Sequence, residues 1–198
     1  MEEFNQYLFL LINAPAHPAA VVLVLAKLFA QYVILFMPLT LLVGWVRGSE
    51  RTRKLMLEAA ASAVLALLMA QIIGMLWPHP RPFMIGLGHQ LLAHRANSSF
   101  PSDHLTLMWS VGFSLLLHAE SRPAGALLTL LGLPIAWARI YLGIHFPLDM
   151  AGAALVAALS AWLCLRQARW FVDPAFPWMT ATYRRLFAPL IRRGWVTK

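Results

Sequence analysis

Polar residues that can do chemistry are concentrated in two short segments of an otherwise apolar chain. The first segment, residues 77–105, reads WPHPRPFMIGLGHQLLAHRANSSFPSDHL, and the second, residues 138–150, reads ARIYLGIHFPLDM. They contain His104, His145 and Asp149, and two histidines with one carboxylate are a known set of metal ligands. The same residue types also serve in acid–base and nucleophilic catalysis. The two segments are therefore the candidate functional site.

Two arginines in these segments help to distinguish the possible chemistries. The guanidinium groups of Arg81 and Arg139 suit bidentate contacts to phosphate and oppose a bound cation. A serine hydrolase using Ser102, His145 and Asp149 would leave both arginines without a role, and the G-x-S-x-G motif is absent. Ser102 also suits the N-cap of a helix, whose free N–H groups bind anions. The residues favour a phosphate site first, a metal site second and a serine-hydrolase site third.

The composition indicates a membrane protein as the scaffold for this site. Of the 198 residues, 60% are apolar and only 12% are charged, and the mean hydropathy is +0.66. Soluble domains carry roughly twice this charged share, and disordered chains are far less apolar. The single cysteine, Cys164, excludes an internal disulfide and a cysteine-based zinc site.

Long apolar stretches predict a single all-α domain over residues 1–198, a polytopic membrane bundle of about five spanning helices. About 20 apolar residues cross a bilayer as a helix, and an isolated strand cannot do so. Two amphipathic segments, residues 4–13 and the tail 170–198, are predicted to lie at the membrane interface. The predicted spans are residues 19–46, 55–77, 104–118, 124–144 and 147–165.

The distribution of positive charge predicts the orientation of the bundle. Twelve of the sixteen Lys and Arg residues lie on one side if five helices alternate in direction. The positive-inside rule makes that side cytoplasmic, with the N-terminus and both polar segments outside and the C-terminus inside. This placement explains the net charge of +8, so no nucleic-acid partner is predicted.

The polar segments resemble the three motifs of the type 2 phosphatidic acid phosphatases, K-x6-R-P, P-S-G-H and S-R-x5-H-x3-D. The resemblance covers essentially the whole chain. The variants HPRPF, FPSDH and GIHFPLD are similar to the bacitracin-resistance branch, which comprises undecaprenyl diphosphate phosphatases of bacterial plasma membranes. The matching residues are Arg81-Pro82, Pro101-Ser102-Asp103-His104 and Arg139-x5-His145-x3-Asp149.

The resemblance implies a role for each matching residue. His145 is the nucleophile that forms a phosphohistidine, Asp149 orients it, and His104 is the general acid and base. No metal and no other cofactor is implied. The implied substrate is undecaprenyl diphosphate, a polyprenyl diphosphate lipid, and its hydrolysis would recycle the cell-wall lipid carrier and give bacitracin resistance. The phosphate-binding groups are Arg81, Ser102, Arg139 and the backbone N–H of Asp103.

The chain departs from the family pattern at three positions. Gly74 replaces the motif lysine, Asp103 replaces the glycine of P-S-G-H, and Ala138 replaces the serine before Arg139. The carboxylate of Asp103 is expected to point away from the anion. Lys27, at a comparable depth in the first span, is a further candidate for phosphate binding through the gap at Gly74; the alternative is a lysine that extends to the membrane surface.

Other functions stay open on the sequence alone. The same motifs suit a phosphatidate, phosphatidylglycerophosphate or diacylglycerol-diphosphate phosphatase, or an enzyme that transfers phosphate to another lipid. A non-enzymatic permease component is a further alternative, although the chain shows no internal repeat. His79 and Arg95 are interpreted as loop residues near the site.

Overall fold

The computed structural model describes residues 2–197, which are largely helical and contain no β-strand. Four of the described segments are long and apolar enough to cross a membrane: Ala20–Arg47, Glu50–Leu76, Arg122–Tyr141 and Pro147–Leu186. The predicted fold class, an all-α membrane bundle, is confirmed. The helices are α1 (Glu2–Ile12), α2 (Ala20–Gln31), α3 (Phe36–Arg47), α4 (Glu50–Leu76), α5 (Asp103–Leu116), α6 (Arg122–Tyr141), α7 (Pro147–Leu186) and α8 (Ala188–Arg192), with 3₁₀ turns at Val33–Leu35 and Pro82–Ile85.

Helix α5 is short and lies at the centre of the bundle. It packs against α4, α6 and α7, and most of its residues are buried. Its 14 residues span about 21 Å, less than the roughly 30 Å of a bilayer core. Because its neighbours enclose it, the residue before it, Ser102, is completely buried. The polar segments therefore reach below the ends of the longer helices.

Small residues allow α5 and α6 to approach closely. A Cβ atom on Gly132 of α6 would collide with the indole of Trp109 on α5. That indole donates a hydrogen bond from Nε1 to the carbonyl oxygen of Thr129, at 3.1 Å. Close packing of this kind holds membrane helices together where burial from water cannot.

The first predicted span, residues 19–46, is interrupted rather than continuous. Helix α2 ends at Gln31, a 3₁₀ turn follows, and α3 begins at Phe36. Pro38 explains the break, because proline lacks an N–H and its ring crowds the carbonyl four residues earlier, here that of Ile34. The predicted span is still long and apolar enough to cross a membrane, as Ala20–Arg47, but it consists of two helices joined by a 3₁₀ turn.

The last predicted span also differs from the structure, because α7 continues to Leu186 instead of separating from an interfacial tail near residue 170. The extension has one buried face, and the ring of Trp45 on α3 packs edge-on against Phe176 and Tyr183 at centroid distances of 6.3 and 6.2 Å. Lys54 of α4 pairs with Asp173 at 3.4 Å. These contacts stabilise the helix across Pro174 and Pro177, which lie inside it.

The first helix packs beneath the polar segments. The side-chain oxygen of Asn5 accepts a hydrogen bond from the backbone N–H of Leu148 at 3.0 Å, and the ring of Phe9 meets Phe146 at 5.4 Å. Asn13, just after α1, donates to the carbonyl oxygens of His89 and Tyr141 at 3.1 Å each. Helix α1 therefore supports both polar segments from one side.

Candidate active site

The second polar segment forms a tight turn between α6 and α7. Gly143 has a φ of +78°, and a Cβ there would collide with the carbonyl oxygen of His89. Only glycine suits this position well, because it combines a left-handed conformation with close approach of another backbone. The turn places His145 two residues before α7 and Asp149 in the first turn of that helix. Local geometry thus sets the spacing of this pair.

His145 and Asp149 form a buried hydrogen-bonded pair. Nδ1 of His145 lies 2.9 Å from Oδ2 of Asp149, and each side chain is 1% exposed. The same Oδ2 accepts hydrogen bonds from the backbone N–H of Phe146 at 2.8 Å and from the hydroxyl of Ser99. These contacts favour a proton on Nδ1 of His145 and fix the orientation of its ring.

The other imidazole nitrogen of His145 faces Arg81. Nη1 of Arg81 lies 2.9 Å from Nε2 of His145. Since a guanidinium can only donate, Nε2 must carry a lone pair, and the ring is neutral. Burial, followed by the charges of Arg139 and Arg81, lowers the pKa of His145 well below its ordinary value. The structure therefore presents a neutral histidine whose Nε2 lone pair accepts a hydrogen bond from a cation.

Arg81 is anchored by three further acceptors from the polar segments. Its side chain donates to the carbonyl oxygens of Ile144 at 2.8 Å and Ser98 at 3.1 Å, and to Oδ1 of Asn97 at 3.1 Å. Burial lowers the pKa of Arg81, while the nearby carboxylate of Asp149 raises it. Arg81 thereby joins the two segments and keeps a positive charge next to His145.

Arg139 is also buried, but its donors are less completely used. The residue is 3% exposed, and Nη1 reaches only the carbonyl oxygen of Ala30, at 3.3 Å. Nη2 contacts Nε2 of His94 at 3.2 Å, and Nε has no hydrogen-bond partner among the described residues. A buried guanidinium with an unused donor is costly unless a ligand completes it. Arg139 is therefore suited to hold an anion.

The start of α5 contributes the P-S-D-H residues. Ser102 takes the N-cap position, but its hydroxyl caps no N–H; it is buried without a partner. The carboxylate of Asp103 turns to α4, where it accepts a hydrogen bond from Gln71 at 3.0 Å, as expected from the sequence. His104 is half-buried in the first turn of α5, two residues after Ser102. A free hydroxyl and the unused N–H groups of a helix start face this region.

The expected approach of Lys27 to Gly74 is not found among these contacts. Lys27 lies half-buried on α2, which packs against α6, whereas Gly74 lies on α4. The atoms nearest to a Cβ built on Gly74 belong to Ser98 and Phe100, the closest at 3.3 Å. The gap left by the missing motif lysine is thus faced by the first polar segment. A role for Lys27 in phosphate binding stays a prediction.

The described residues can also be compared with the two alternative chemistries, a metal site and a serine-hydrolase site. Within residues 2–197, no group of three or more His, Cys, Asp or Glu side chains is arranged to hold a metal ion. The hydroxyl closest to the histidine pair belongs to Ser99, 3.4 Å from Nδ1 of His145, and it donates to Asp149. Ser102 makes no such contact, so the triad of the least favoured alternative, a serine hydrolase, is not formed.

Two residues of the site were not recognised from the sequence. Ser99 is fully buried, and its hydroxyl donates a hydrogen bond to Asp149. His94 contacts Arg139, and its ring centroid lies 6.1 Å from that of His145. The sequence feature that could have indicated them is their position in the polar segment just before the P-S-D-H motif.

The two other loop residues near the site lie at its edge. Arg95 is exposed, and its carbonyl oxygen accepts a hydrogen bond from Nδ1 of His94 at 3.1 Å. His79 lies between Trp77 and Phe146, at ring-centroid distances of 5.9 and 6.0 Å, and 3.6 Å from a carboxylate oxygen of Glu2. Neither side chain has a contact with the two buried arginines.

The fold and the site together define a class of protein: a helical membrane bundle that holds a histidine–carboxylate pair and two buried arginines at one end. The chain belongs to the PAP2 superfamily, whose sequence pattern matches residues 55–173. The family resemblance of the polar segments is thereby confirmed.

Individual relatives extend this match over most of the chain. The chain is 37% identical to YbjG of Escherichia coli (strain K12), covering 99% of this chain and 98% of that protein. It is 31% identical to the undecaprenyl-diphosphatase BcrC of Bacillus subtilis (strain 168), covering 82% and 83%. The crystal structure of Aquifex aeolicus LpxE superposes with a TM-score of 0.64 at 27% identity, covering 82% of this chain and 95% of that one.

Proposed function

We propose that this protein hydrolyses undecaprenyl diphosphate to undecaprenyl phosphate and inorganic phosphate through a phosphohistidine on His145. The similarity to BcrC supports the choice of substrate. The observation that carries the chemistry is the buried His145, whose Nδ1 is held by Asp149 while Nε2 presents a lone pair beside Arg81. A neutral imidazole held in this way is a nucleophile that needs no prior deprotonation.

In the first step, Nε2 of His145 attacks the terminal phosphorus. An N–P bond forms and the bond from phosphorus to the bridging oxygen breaks, with undecaprenyl phosphate as the leaving group. His104 takes up a proton from solvent when the bound diphosphate offsets the charges of Arg81 and Arg139, and it donates that proton to the leaving oxygen. The positive charge that develops on His145 is stabilised by the carboxylate of Asp149. Arg81 moves its Nη1 hydrogen bond from Nε2 to a phosphate oxygen.

In the second step, water releases the phosphate from the enzyme. His104, now neutral, takes a proton from a water molecule that attacks the phosphorus. The N–P bond breaks, and His145 returns to its neutral form with Asp149 still bound at Nδ1. Arg139, the hydroxyl of Ser102 and the first N–H groups of α5 stabilise the charge on the phosphate oxygens in both steps.

We also propose that the protein lies in the bacterial plasma membrane, with its site on the outer face. The support is the distribution of basic residues, twelve of sixteen on the side opposite to the site. On that face the enzyme would act on the lipid carrier released after cell-wall glycan transfer. Raised expression should then increase resistance to bacitracin, which binds the same lipid diphosphate.

The substrate is tested by measuring phosphate release from lipids in detergent with EDTA present. The panel contains undecaprenyl diphosphate, phosphatidate, phosphatidylglycerophosphate and diacylglycerol diphosphate. We expect the highest kcat/KM with undecaprenyl diphosphate. A clear preference for one of the glycerolipids would replace the proposed substrate, and the absence of phosphate release from every lipid would contradict a phosphatase.

The orientation has its own test in intact cells or spheroplasts. A membrane-impermeant thiol reagent should label the variant Arg95→Cys, at the site, and leave Arg51→Cys, in the first turn of α4, unlabelled. The native Cys164 is buried, which keeps its background labelling low. The reverse labelling pattern would contradict the outward orientation without affecting the chemical mechanism.

A further inference from the structure

The ring of His94 contacts Arg139, and the mechanism above gives this contact no role. Its Nδ1 lies 3.1 Å from the carbonyl oxygen of Arg95, which can only accept, so Nδ1 carries the proton. Its Nε2 lies 3.2 Å from Nη2 of Arg139 and must therefore accept. The ring is thus neutral, and its lone pair is directed at the guanidinium of Arg139. The ring centroid of His94 lies 6.1 Å from that of the nucleophile His145.

Nε2 of His94 is a neutral acceptor for the buried, positively charged guanidinium of Arg139. Arg139 has one long contact to Ala30 and an unused Nε, although it is 3% exposed. Phosphate oxygens are better acceptors for such a group because they are charged and match its planar fork. Nε2 of His94 therefore occupies a position on Arg139 that suits a phosphate oxygen.

The setting of His94 allows this contact to be exchanged. The loop from residue 93 to residue 97 is exposed apart from His94 itself, which is half-buried. Its ring is tied to the protein by two hydrogen bonds, one of them to the backbone of its own loop. Burial and the charges of Arg81 and Arg139 lower the pKa of His94. A bound phosphate would offset those charges and favour the protonated ring.

We infer that His94 is a substrate-binding residue, which occupies Arg139 in the free enzyme and forms a hydrogen bond to the terminal phosphate when substrate binds. The inference rests on the proposed function and deepens it. Nη2 of Arg139 passes to a phosphate oxygen, and Nε2 of His94 shares one proton with a second oxygen. That proton comes from the singly protonated terminal phosphate, so no other reactant is needed.

The variants His94→Ala, His94→Asn and His94→Gln test this role. Alanine removes the imidazole, and asparagine keeps a polar side chain that is too short to reach Arg139. Glutamine is long enough to contact both Arg139 and a phosphate oxygen. The matched control is His89→Ala in the same loop, because the ring of His89 contacts the carbonyl oxygen of Ala14, at 3.1 Å, and neither arginine.

Three quantities are measured: kcat and KM for phosphate release from undecaprenyl diphosphate, the inhibition constant of inorganic phosphate, and the rise in Tm that inorganic phosphate produces. Loss of a hydrogen bond to a charged group should raise KM and the inhibition constant roughly 10-fold to 100-fold in His94→Ala and His94→Asn. The change in kcat should be smaller, and the phosphate-dependent rise in Tm should shrink. His94→Gln should recover part of each loss, and His89→Ala should resemble the wild type.

The outcomes separate this inference from the proposed function. If wild-type protein releases no phosphate from the lipid diphosphate, the proposed function fails, while phosphate inhibition of any lipid phosphatase activity and the shift in Tm still report on His94. If KM, the inhibition constant and the phosphate-dependent Tm rise are unchanged in His94→Ala or His94→Asn, then His94 does not bind substrate. A lower Tm without any change in phosphate affinity would also overturn the inference, because it indicates a purely structural role.

Discussion

A buried arginine at each end of the bundle invites comparison: Arg53 lies opposite the site, and Arg139 lies at the site. The two differ in how completely their hydrogen-bond donors are used. At the end opposite to the site, Arg53 donates to the carbonyl oxygens of Trp45 and Thr197, each at 2.8 Å, and its guanidinium lies 4.7 Å from the ring centre of Tyr183. At the site end, Arg139 depends on one long carbonyl contact and an imidazole, with Nε unused. Arg53 thus links the end of α3 and the start of α4 to the C-terminal segment. Arg139 keeps an unused donor with which it can bind a ligand.

The same contrast holds for the two histidine–carboxylate pairs. His118 directs Nε2 to a carboxylate oxygen of Glu58 at 2.9 Å. His145 instead directs Nδ1 to Asp149 and keeps Nε2 for Arg81. Both ends of the bundle therefore contain buried, charged groups, although only the end with His145 is proposed to react. What distinguishes the reactive end is a histidine lone pair directed at Arg81, together with a second arginine, Arg139, whose Nε is unused.

The largest difference in activity should come from substituting corresponding residues of the two histidine–carboxylate pairs. His145→Ala should lower kcat on the order of 10⁴-fold or more, because no other group can form the N–P bond. Asp149→Asn should cost roughly 10²-fold to 10⁴-fold with little loss of stability, because it removes the charge that orients and stabilises His145. His118→Ala should retain wild-type kcat and show a lower Tm. Similar loss of activity in all three variants would contradict the contrast between the ends.

The arginines should show the next largest difference. Arg139→Lys should lower kcat/KM roughly 100-fold, because an ammonium group cannot form the paired contacts of a guanidinium. Arg53→Lys should lower the free energy of unfolding by about 2 kcal/mol, since hydrogen bonds to the carbonyl oxygens are lost, and leave kcat/KM of the folded enzyme unchanged. Phosphate-release kinetics and thermal unfolding in detergent measure the two effects. Near-normal kcat/KM in Arg139→Lys would remove Arg139 from the phosphate site.

A smaller effect is expected in the pH dependence of stability. The folded protein holds His145 neutral, because burial and the charges of Arg139 and Arg81 lower its pKa well below the ordinary value. The unfolded chain takes up that proton near pH 6.5. The free energy of unfolding should therefore fall as the pH drops below that value, by at most about 1.4 kcal/mol per pH unit for this histidine.

Thermal unfolding across this pH range measures the contribution of His145. The variant His145→Gln cannot titrate, so its Tm should decline less steeply on the acid side than that of the wild type. Equal slopes for the two proteins would show that His145 takes up a proton as readily in the folded state as in the unfolded state.

The smallest effect concerns Lys27, which the contacts of α2 leave away from Gly74. Lys27→Ala and Lys27→Gln should each keep kcat/KM within about twofold of the wild type, the range of ordinary surface substitutions. Phosphate release from a lipid diphosphate and a lipid monophosphate provides the measurement. A marked loss with both variants, and partial recovery on adding Gly74→Lys, would restore Lys27 as a phosphate ligand.

The parts of the site that follow from short-range geometry were predictable from the sequence. His145 and Asp149 are four residues apart across a helix start, and their contact needs only that local structure. The contact of His94 with Arg139 joins residues 45 positions apart. It depends on how the first polar segment folds over the end of α6, which the spacing of residues does not specify.

The helices show the same division between local and distant causes. The break after α2 follows from Pro38, a local signal present in the sequence. The continuation of α7 through Pro174 and Pro177 depends on its buried face and on the packing of Phe176 and Tyr183 against Trp45. The sequence favoured an interfacial tail there, because aromatic residues and paired arginines suit the membrane surface. The packing partner of the segment lies far away in the chain.

The central claim is that Nε2 of His145 receives the terminal phosphate, and trapping that intermediate tests it most directly. Undecaprenyl diphosphate radiolabelled in the terminal phosphate is mixed with wild-type protein or with the variants His104→Ala and His145→Ala, quenched within one turnover and digested for peptide mapping. We expect an alkali-stable, acid-labile label on His145 in the wild type, accumulation in His104→Ala if leaving-group departure persists, and no label in His145→Ala. Turnover by the wild type with no label on His145, or with label on another residue, would contradict the account.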